Sequence, residues 1–269
     1  MLSSIEASSA TLFNLIFPDE CRLCEQPLKN ISRLPVCPSC LALPAPLVAD
    51  FFCRACRTPF VDAYPLDEYD LCTVCRESLV NFDTVYSFGS YEGPLRKLIH
   101  LFKYGKVETL AQPLSRLLIR SLPLDQRFDM VVAMPMHWRK RWERGFNQAE
   151  LLAKPVARRY GLKLATNLRR ARHTNAQAGL TEAQRLANAR DSFRIQQPAE
   201  INGKRVLLID DVFTTGATLR AAAAALKKAG AAHVSALTLA RVDRRGFDAG
   251  SASAGKAVRT AALAGAGVS

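Results

Sequence analysis

Hydrophobic positions along this chain fall into runs of two kinds. Val206, Leu207, Leu208 and Ile209 form an unbroken apolar run, long enough for a strand covered on both faces, and it stops at Asp210 and Asp211. Two threonines and a glycine follow, and residues 217–229 read as an alanine-rich helix closing on Lys227, Lys228 and Gly230. Residues 128–135 read as a second buried strand, 85–88 as a third, 162–165 as a short one and 234–240 as the last. Between them the period becomes helical. Leu95, Leu98, Ile99 and Phe102 recur at helical spacing, Leu114, Leu117 and Leu118 share one face, and 149–160 reads as a helix stopped by Gly161. This alternation predicts an α/β fold with a mainly parallel sheet flanked by helices and a ligand site at the carboxyl ends of the strands.

Candidate chemistry sits where the apolar run stops. A helix starting at Ala217 sets its free N–H groups and dipole, with the hydroxyls of Thr214, Thr215 and Thr218, beside two carboxylates. Such a turn suits a phosphate, while Asp210 and Asp211 can accept bonds from sugar hydroxyls or hold Mg²⁺ through water. A capped turn without a ligand would explain a lone Asp-Asp or Thr-Thr-Gly. Here every element from 205 to 220 falls in order, and the stretch resembles the signature of type I phosphoribosyltransferases, which bind 5-phosphoribosyl-1-pyrophosphate (PRPP) in this way.

Charge divides the chain. Residues 1–80 hold 6 basic and 10 acidic side chains, so 31 basic against 14 acidic residues, a net +17, belong to the remainder. An anionic partner is implied there, and PRPP and nucleic acid both qualify. The 269 residues allow one ordinary domain and a smaller one, and no apolar run approaches the length of a transmembrane helix. The apolar cluster at 12–17 follows Glu6 rather than a basic region and is expected to be a short packed helix, not a signal peptide.

All eight cysteines precede residue 76 in four Cys-x-x-Cys pairs, Cys21 with Cys24, Cys37 with Cys40, Cys53 with Cys56 and Cys72 with Cys75. Twelve, twelve and fifteen residues separate successive pairs, so two turns can converge on one tetrahedral ion. The expectation is two structural Zn²⁺ sites of four thiolates, paired sequentially; interleaved pairing is the alternative. Disulfides would need an oxidising compartment that nothing in the chain indicates. Four thiolates on a dipositive ion are formally −2, which argues against these ribbons gripping DNA by charge and for staples on a segment too small to build its own core.

Residues 136–148 follow the second buried strand and carry four basic residues and both tryptophans within seven positions. Arginines there suit anion contact. Trp138 and Trp142, four apart, are expected to pack on one helix face; stacking on bases of a single strand is the alternative. Residues 168–180 are basic and polar without an apolar period and read as a loop able to close over a ligand, with Thr181 as a candidate helix cap beyond it.

Taken with the cysteine pairs, Arg144-Gly145-Phe146-Asn147-Gln148, Arg170 with Thr174, Gln177 and Leu180, Arg185 with Asn188, and the stretch from Asp210 to Thr218 resemble the ComF family, also called the GntX or competence protein F group. Members combine a zinc-ribbon segment with a type I phosphoribosyltransferase domain and are associated with natural transformation and use of external DNA in the cytoplasm. The resemblance implies three parts: an N-terminal helix and double zinc ribbon over 1–80, a phosphoribosyltransferase-like domain over 81–243, and an Ala/Gly-rich tail over 244–269 that is expected to be disordered and departs from the family pattern. It places Asp210 and Asp211 at the ribose hydroxyls, Thr214, Thr215, Gly216, Ala217 and Thr218 around the 5-phosphate, and Pro135, Met136 and His137 beside the pyrophosphate. Arg144, Arg170 and Arg185 become closing cations, and Asp210, Asp211 and Arg170 the catalytic set. Structural roles for Arg144 and Arg185, and capping roles for Asn147 and Asn188, are the alternatives. The function expected is Mg²⁺-dependent PRPP binding with phosphoribosyl transfer to a nitrogen acceptor, its partners being PRPP, single-stranded DNA and DNA-uptake proteins. The rival is a non-catalytic single-strand binder with a PRPP-sensing or relic site. No Ser-His-Asp or Cys-His set is apparent, since His100, His137, His173 and His233 are scattered.

Overall fold

The computed structural model describes residues 20–28, 33–77, 81–170 and 192–242. The expected N-terminal helix, the loop residues 171–191 with His173, Thr174, Gln177, Leu180, Thr181, Arg185 and Asn188, and the tail from 243 lie outside the described residues.

Five strands form one parallel sheet in the order β3 (Thr84–Ser90), β9 (His233–Arg241), β8 (Arg205–Phe213), β4 (Met130–Ala133) and β5 (Lys163–Ala165). Every carboxyl end therefore lies at one edge, where parallel α/β sheets hold their ligands. The apolar run at 206–209 is the middle of the sheet, completely buried, and its side chains alternate between two cores. Leu207 and Ile209 join the core under α3 (Gly93–Lys103), α4 (Ala111–Ser121) and α6 (Gln148–Tyr160). Val206 and Leu208 join Leu219, Ala222 and Leu226 of α7 (Ala217–Lys228) on the other face.

One helix does not cover that second face, and the ribbon region completes it. Cys53, Cys56, Cys72 and Cys75 belong to the same core as Val206, Leu208 and Phe213. Two short elements, the β1 (Phe51–Phe52) and β2 (Pro59–Phe60) hairpin and α2 (Thr73–Glu77), present them, while α1 (Pro38–Ala42) carries Cys40 of the first group against the three-helix face. Ribbon backbone also occupies the outer edge of β3: Leu47 N donates to Phe88 O at 2.7 Å and Val85 N to Ala55 O at 2.9 Å. An edge strand open to pairing with other chains is thereby blunted.

Two differences from the sequence reading have physical causes. Strand β8 does not stop at Ile209 but runs through both acids to Phe213, because β9 stays paired with it as far as Phe213 opposite Arg241. Residues 168–170 are not loop: β6 (Leu168–Arg170) pairs antiparallel with β7 (Phe193–Ile195), and the buried Leu168 and Phe193 tie this small hairpin base to the α7-side core. No helix among the described residues is long and apolar enough to cross a membrane.

Leu208→Ala should lower the unfolding free energy by about 3 kcal/mol, since it empties a fully enclosed position between two packed layers. Denaturant titration of the two proteins measures it, and a loss under about 1 kcal/mol would contradict the two-sided core.

Candidate functional site

Asp210 and Asp211 sit at the carboxyl end of β8, both half-buried. Asp211 N donates to Asp210 Oδ1 at 2.9 Å, so the first carboxylate is turned back on the second residue. Lys103, the last residue of α3, reaches Asp211 Oδ1 at 2.7 Å, with 12% and 15% of the two side chains exposed. Burial pushes the Asp210 carboxyl up to about 7, the charge of Asp211 adds to the rise, and Lys103 and Arg170 oppose it. Arg170, at the end of β6, thus faces the acid pair, and its guanidinium lies 5.7 Å from the centre of the Phe193 ring. A carboxyl poised near neutrality at a strand end is a candidate functional group.

Beyond β8 the turn opens to solvent. Thr214, Thr215, Ala217 and Thr218 are exposed, and Gly216 is buried at the N-cap of α7 with φ of 73°. A side chain there would be strained, and its Cβ would stand 2.8 Å from the Phe213 ring. Thr215 Oγ1 accepts from Ala217 N at 3.3 Å and Arg220 donates to Thr215 O at 3.1 Å, which shapes the turn while Thr214 and Thr218 face outward as exposed residues. Exposed hydroxyls around a twelve-residue helix's N-terminus can hold a phosphate.

The turn after β4 lines a cleft of about 600 Å³ with Pro135, Met136, His137, Trp138 and Arg141, together with Glu150, which pairs with Arg141, and, from β6, Arg169 and Arg170. His137 caps α5 (Trp138–Arg144) by accepting from Arg139 N at 3.3 Å. Asn147 caps α6 and is buried, donating to Met134 O at 3.0 Å and fixing the turn to the helix behind it. Arg144 points elsewhere: it donates to Gln148 Oε1 at 3.1 Å and lies 5.0 Å over the Tyr104 ring, next to Lys103 rather than along the cleft.

The expected packing of Trp138 and Trp142 is wrong. They are 64% and 85% exposed, since α5 buries no residue and no layer among the described residues covers it. Arg139 lies 5.3 Å over the Trp138 ring, so an arginine and an indole already share one exposed surface.

Both cysteine groups assemble sequentially, with sulfurs of Cys21, Cys24, Cys37 and Cys40, and of Cys53, Cys56, Cys72 and Cys75, all within 4.8 Å of one another in each group. Measured edges are 3.8 Å for Cys24 to Cys37 and 3.7 Å for Cys56 to Cys72. A tetrahedron with metal–sulfur bonds of about 2.3 Å has edges of about 3.8 Å, so the donor sets fit a tetrahedral ion. Backbone N–H groups point at the sulfurs, Cys37 N to Cys21 Sγ at 3.3 Å and Cys72 N to Cys53 Sγ at 3.4 Å. Glu25 and Arg57, each directly after the first pair of its group, take left-handed φ of 62° and 55°, the same tight turn in both.

Two constellations were not legible in the sequence. Lys103 belongs to a helix end whose basic residues read as an ordinary stop signal, and only the fold carries it to Asp211. At the opposite, amino end of the sheet, His233 Nε2 and Ser235 Oγ are 2.9 Å apart and His233 Nδ1 lies 3.5 Å from Asp83 Oδ2, an Asp–His–Ser row that the scattered histidines did not suggest. Ser235 is completely buried and Asp83 also accepts from Val234 N and holds Lys227, so the row ties strands together and offers no accessible nucleophile.

Known proteins resemble the chain at two levels. The phosphoribosyl transferase domain family matches residues 147–251. DNA utilization protein YhgH of Salmonella typhimurium is 31% identical over 234 residues, 84% of this chain and 99% of its own length. Competence protein F of Haemophilus influenzae is 30% identical over 178 residues, 63% of this chain and 78% of its own. Among solved structures, glutamine phosphoribosylpyrophosphate amidotransferase from B. subtilis in complex with ADP and GMP is 21% identical, with a TM-score of 0.37 over 48% of this chain and 26% of that one.

Because the folded state raises the Asp210 carboxyl to about 7, it binds a proton that the unfolded chain releases near 4. The stability this proton lends is complete below pH 4 and is lost as pH rises through 7. Asp210→Asn should therefore be no more stable than the parent at pH 4 and distinctly more stable at pH 8. Thermal melts across that range check it; equal gains at both ends would contradict the raised carboxyl.

Proposed function

The chain belongs to the ComF family, the competence protein F group, and from that premise we propose that it binds PRPP with Mg²⁺ at the carboxyl edge of its sheet and transfers the phosphoribosyl group to a nitrogen acceptor. The observation that carries this reading is the half-buried acid pair, one carboxyl raised toward neutrality, directly beside an open threonine turn at a helix N-terminus. In this reading Asp210 and Asp211 accept from the two ribose hydroxyls, and Thr214, Thr215, Gly216, Ala217 and Thr218 wrap the 5-phosphate. Pro135, Met136 and His137 border the pyrophosphate, and Arg170 screens its charge as the C1–O bond breaks. Arg144 joins only by shifting from Gln148.

Lys103 already neutralises Asp211, so the acids suit sugar hydroxyls better than direct metal ligation, and Asp210 and Asp211 would hold Mg²⁺ only through water. The ion's contribution is to spread negative charge on the departing group. The chain's own task is positional, since an oxocarbenium-like transition state needs the acceptor placed and the leaving group stabilised.

We assign Zn²⁺ to both cysteine groups as a structural ion, the double ribbon to 1–80, the transferase-like domain to 81–243 and a tail to 244–269. We also assign the chain work on external DNA, in the cytoplasm; the names of the relatives, a DNA utilization protein and a competence protein, support the DNA part of that reading. A second reading rests on the exposed Trp138 and Trp142 among Arg139, Lys140 and Arg141: this surface holds single-stranded DNA by stacking and phosphate contact.

Calorimetry with PRPP and Mg²⁺ should give saturable heat with the parent protein, and Asp210→Asn with Asp211→Asn should weaken binding at least about tenfold, as loss of charge-assisted bonds does. No heat from the parent would sink the PRPP reading. For DNA, a single-stranded oligonucleotide should bind less tightly as salt rises, and Trp138→Ala with Trp142→Ala should weaken it by about tenfold or more. Affinity indifferent to both salt and the tryptophans would refute the second reading.

A further inference from the structure

Arg241, the last residue of β9, is only 2% exposed, the one basic or acidic side chain so deeply enclosed among the described residues. Its guanidinium donates to Cys56 O at 2.6 Å and to Thr58 Oγ1 at 2.5 Å, while Nε finds no partner. The sulfurs of Cys56, Cys72 and Cys53 are near enough to favour its charge, against the burial that opposes it. A buried cation needs a counter-charge, and four thiolates on a dipositive ion supply a formal −2.

The same guanidinium lies 5.2 Å over the Phe213 ring, and Phe213 is the strand partner of Arg241. Phe213 in turn underlies the open turn, since its ring fills the space where a Cβ at position 216 would stand. Phe82 closes the ring edge-on from the ribbon side at 6.3 Å, and Val242 N donates to Phe213 O at 2.9 Å. Cysteine group, guanidinium, ring and turn are thus stacked in contact, each set by the one beneath. The first cysteine group is in the other core and makes no such stack.

We propose that Arg241 is a positioning residue that ties the second metal group to the 214–218 turn, so that the turn is set for a phosphate only while Cys53, Cys56, Cys72 and Cys75 hold their ion. Removing that ion frees the cysteine turn that presents Cys56 O and Thr58 Oγ1 to the guanidinium; the guanidinium shifts, Phe213 loses its seat, and the 214–218 turn loosens. The binding half of this proposal rests on the PRPP reading of the turn; the positioning half does not.

The full chain is followed by three measurements: metal content per chain, deuterium exchange of the segment 210–220, and PRPP affinity. Arg241→Met should speed exchange in 210–220 and weaken PRPP about tenfold, within the usual range for coupled sites, and Arg241→Lys, which keeps the charge, should restore part of both. Cys72→Ser, which opens the second group, should reproduce Arg241→Met, while Cys24→Ser, which opens the first, should leave 210–220 as in the parent. Should Arg241→Met fail to fold, Phe213→Leu tests the same stack, with faster exchange expected while two ions stay bound. Unchanged exchange in Phe213→Leu and Cys72→Ser, or an equal change from Cys24→Ser, would overturn the proposal. If the parent does not bind PRPP, the reading of the ligand fails, and exchange alone still decides the positioning claim.

Discussion

Two carboxylates share the end of a strand that is covered on both faces, and the site follows from how their repulsion is contained. Asp211 is neutralised by Lys103 from α3, whereas Asp210 receives a backbone bond from Asp211 and only the more distant charges of Lys103 and Arg170. The asymmetry leaves the Asp210 carboxyl, pushed up by burial to about 7, as the member of the pair close to its titration point. Such a pair costs stability at neutral pH, and proteins keep that kind of arrangement where a ligand's own donors relieve it. Sugar hydroxyls are donors of that kind.

Containment of the pair depends on the layers around it. Leu207 and Ile209 anchor β8 to three helices, and Val206 and Leu208 anchor it to α7, so the strand end cannot slide without disturbing two cores. The second ribbon takes the place that a further helix would fill, and it brings four cysteines able to hold a metal ion into the hydrophobic interior of the α/β unit. A segment too small to build a core of its own thereby becomes part of a larger one. Its edge contacts with β3 serve the same end.

Much of this was legible in the sequence because it is written in local order. The apolar run, acid pair, threonine turn and alanine-rich helix are contiguous, and the cysteine spacing permits two turns per ion, so the strand-turn-helix unit and the sequential cysteine groups followed directly. What escaped depends on distant partners. Strand β8 continues past Ile209 only because β9 keeps pairing with it, and β6 and β7 are three-residue strands 22 residues apart whose pairing no periodicity announces. Lys103 meets Asp211 across 108 positions, and Asp83 meets His233 across 150. The tryptophans misled because helical spacing predicts a shared face but not whether anything covers it, and α5 buries no residue.

The charge state of the acid pair is the most direct check on the account. With aspartate carboxyls labelled for carbon NMR, Asp210 in the free protein should titrate near 7, and adding PRPP with Mg²⁺ should move that transition down toward the ordinary acid range as hydroxyl donors settle on the charged form. A free protein in which Asp210 titrates near 4, with no change when PRPP and Mg²⁺ are added, would contradict it.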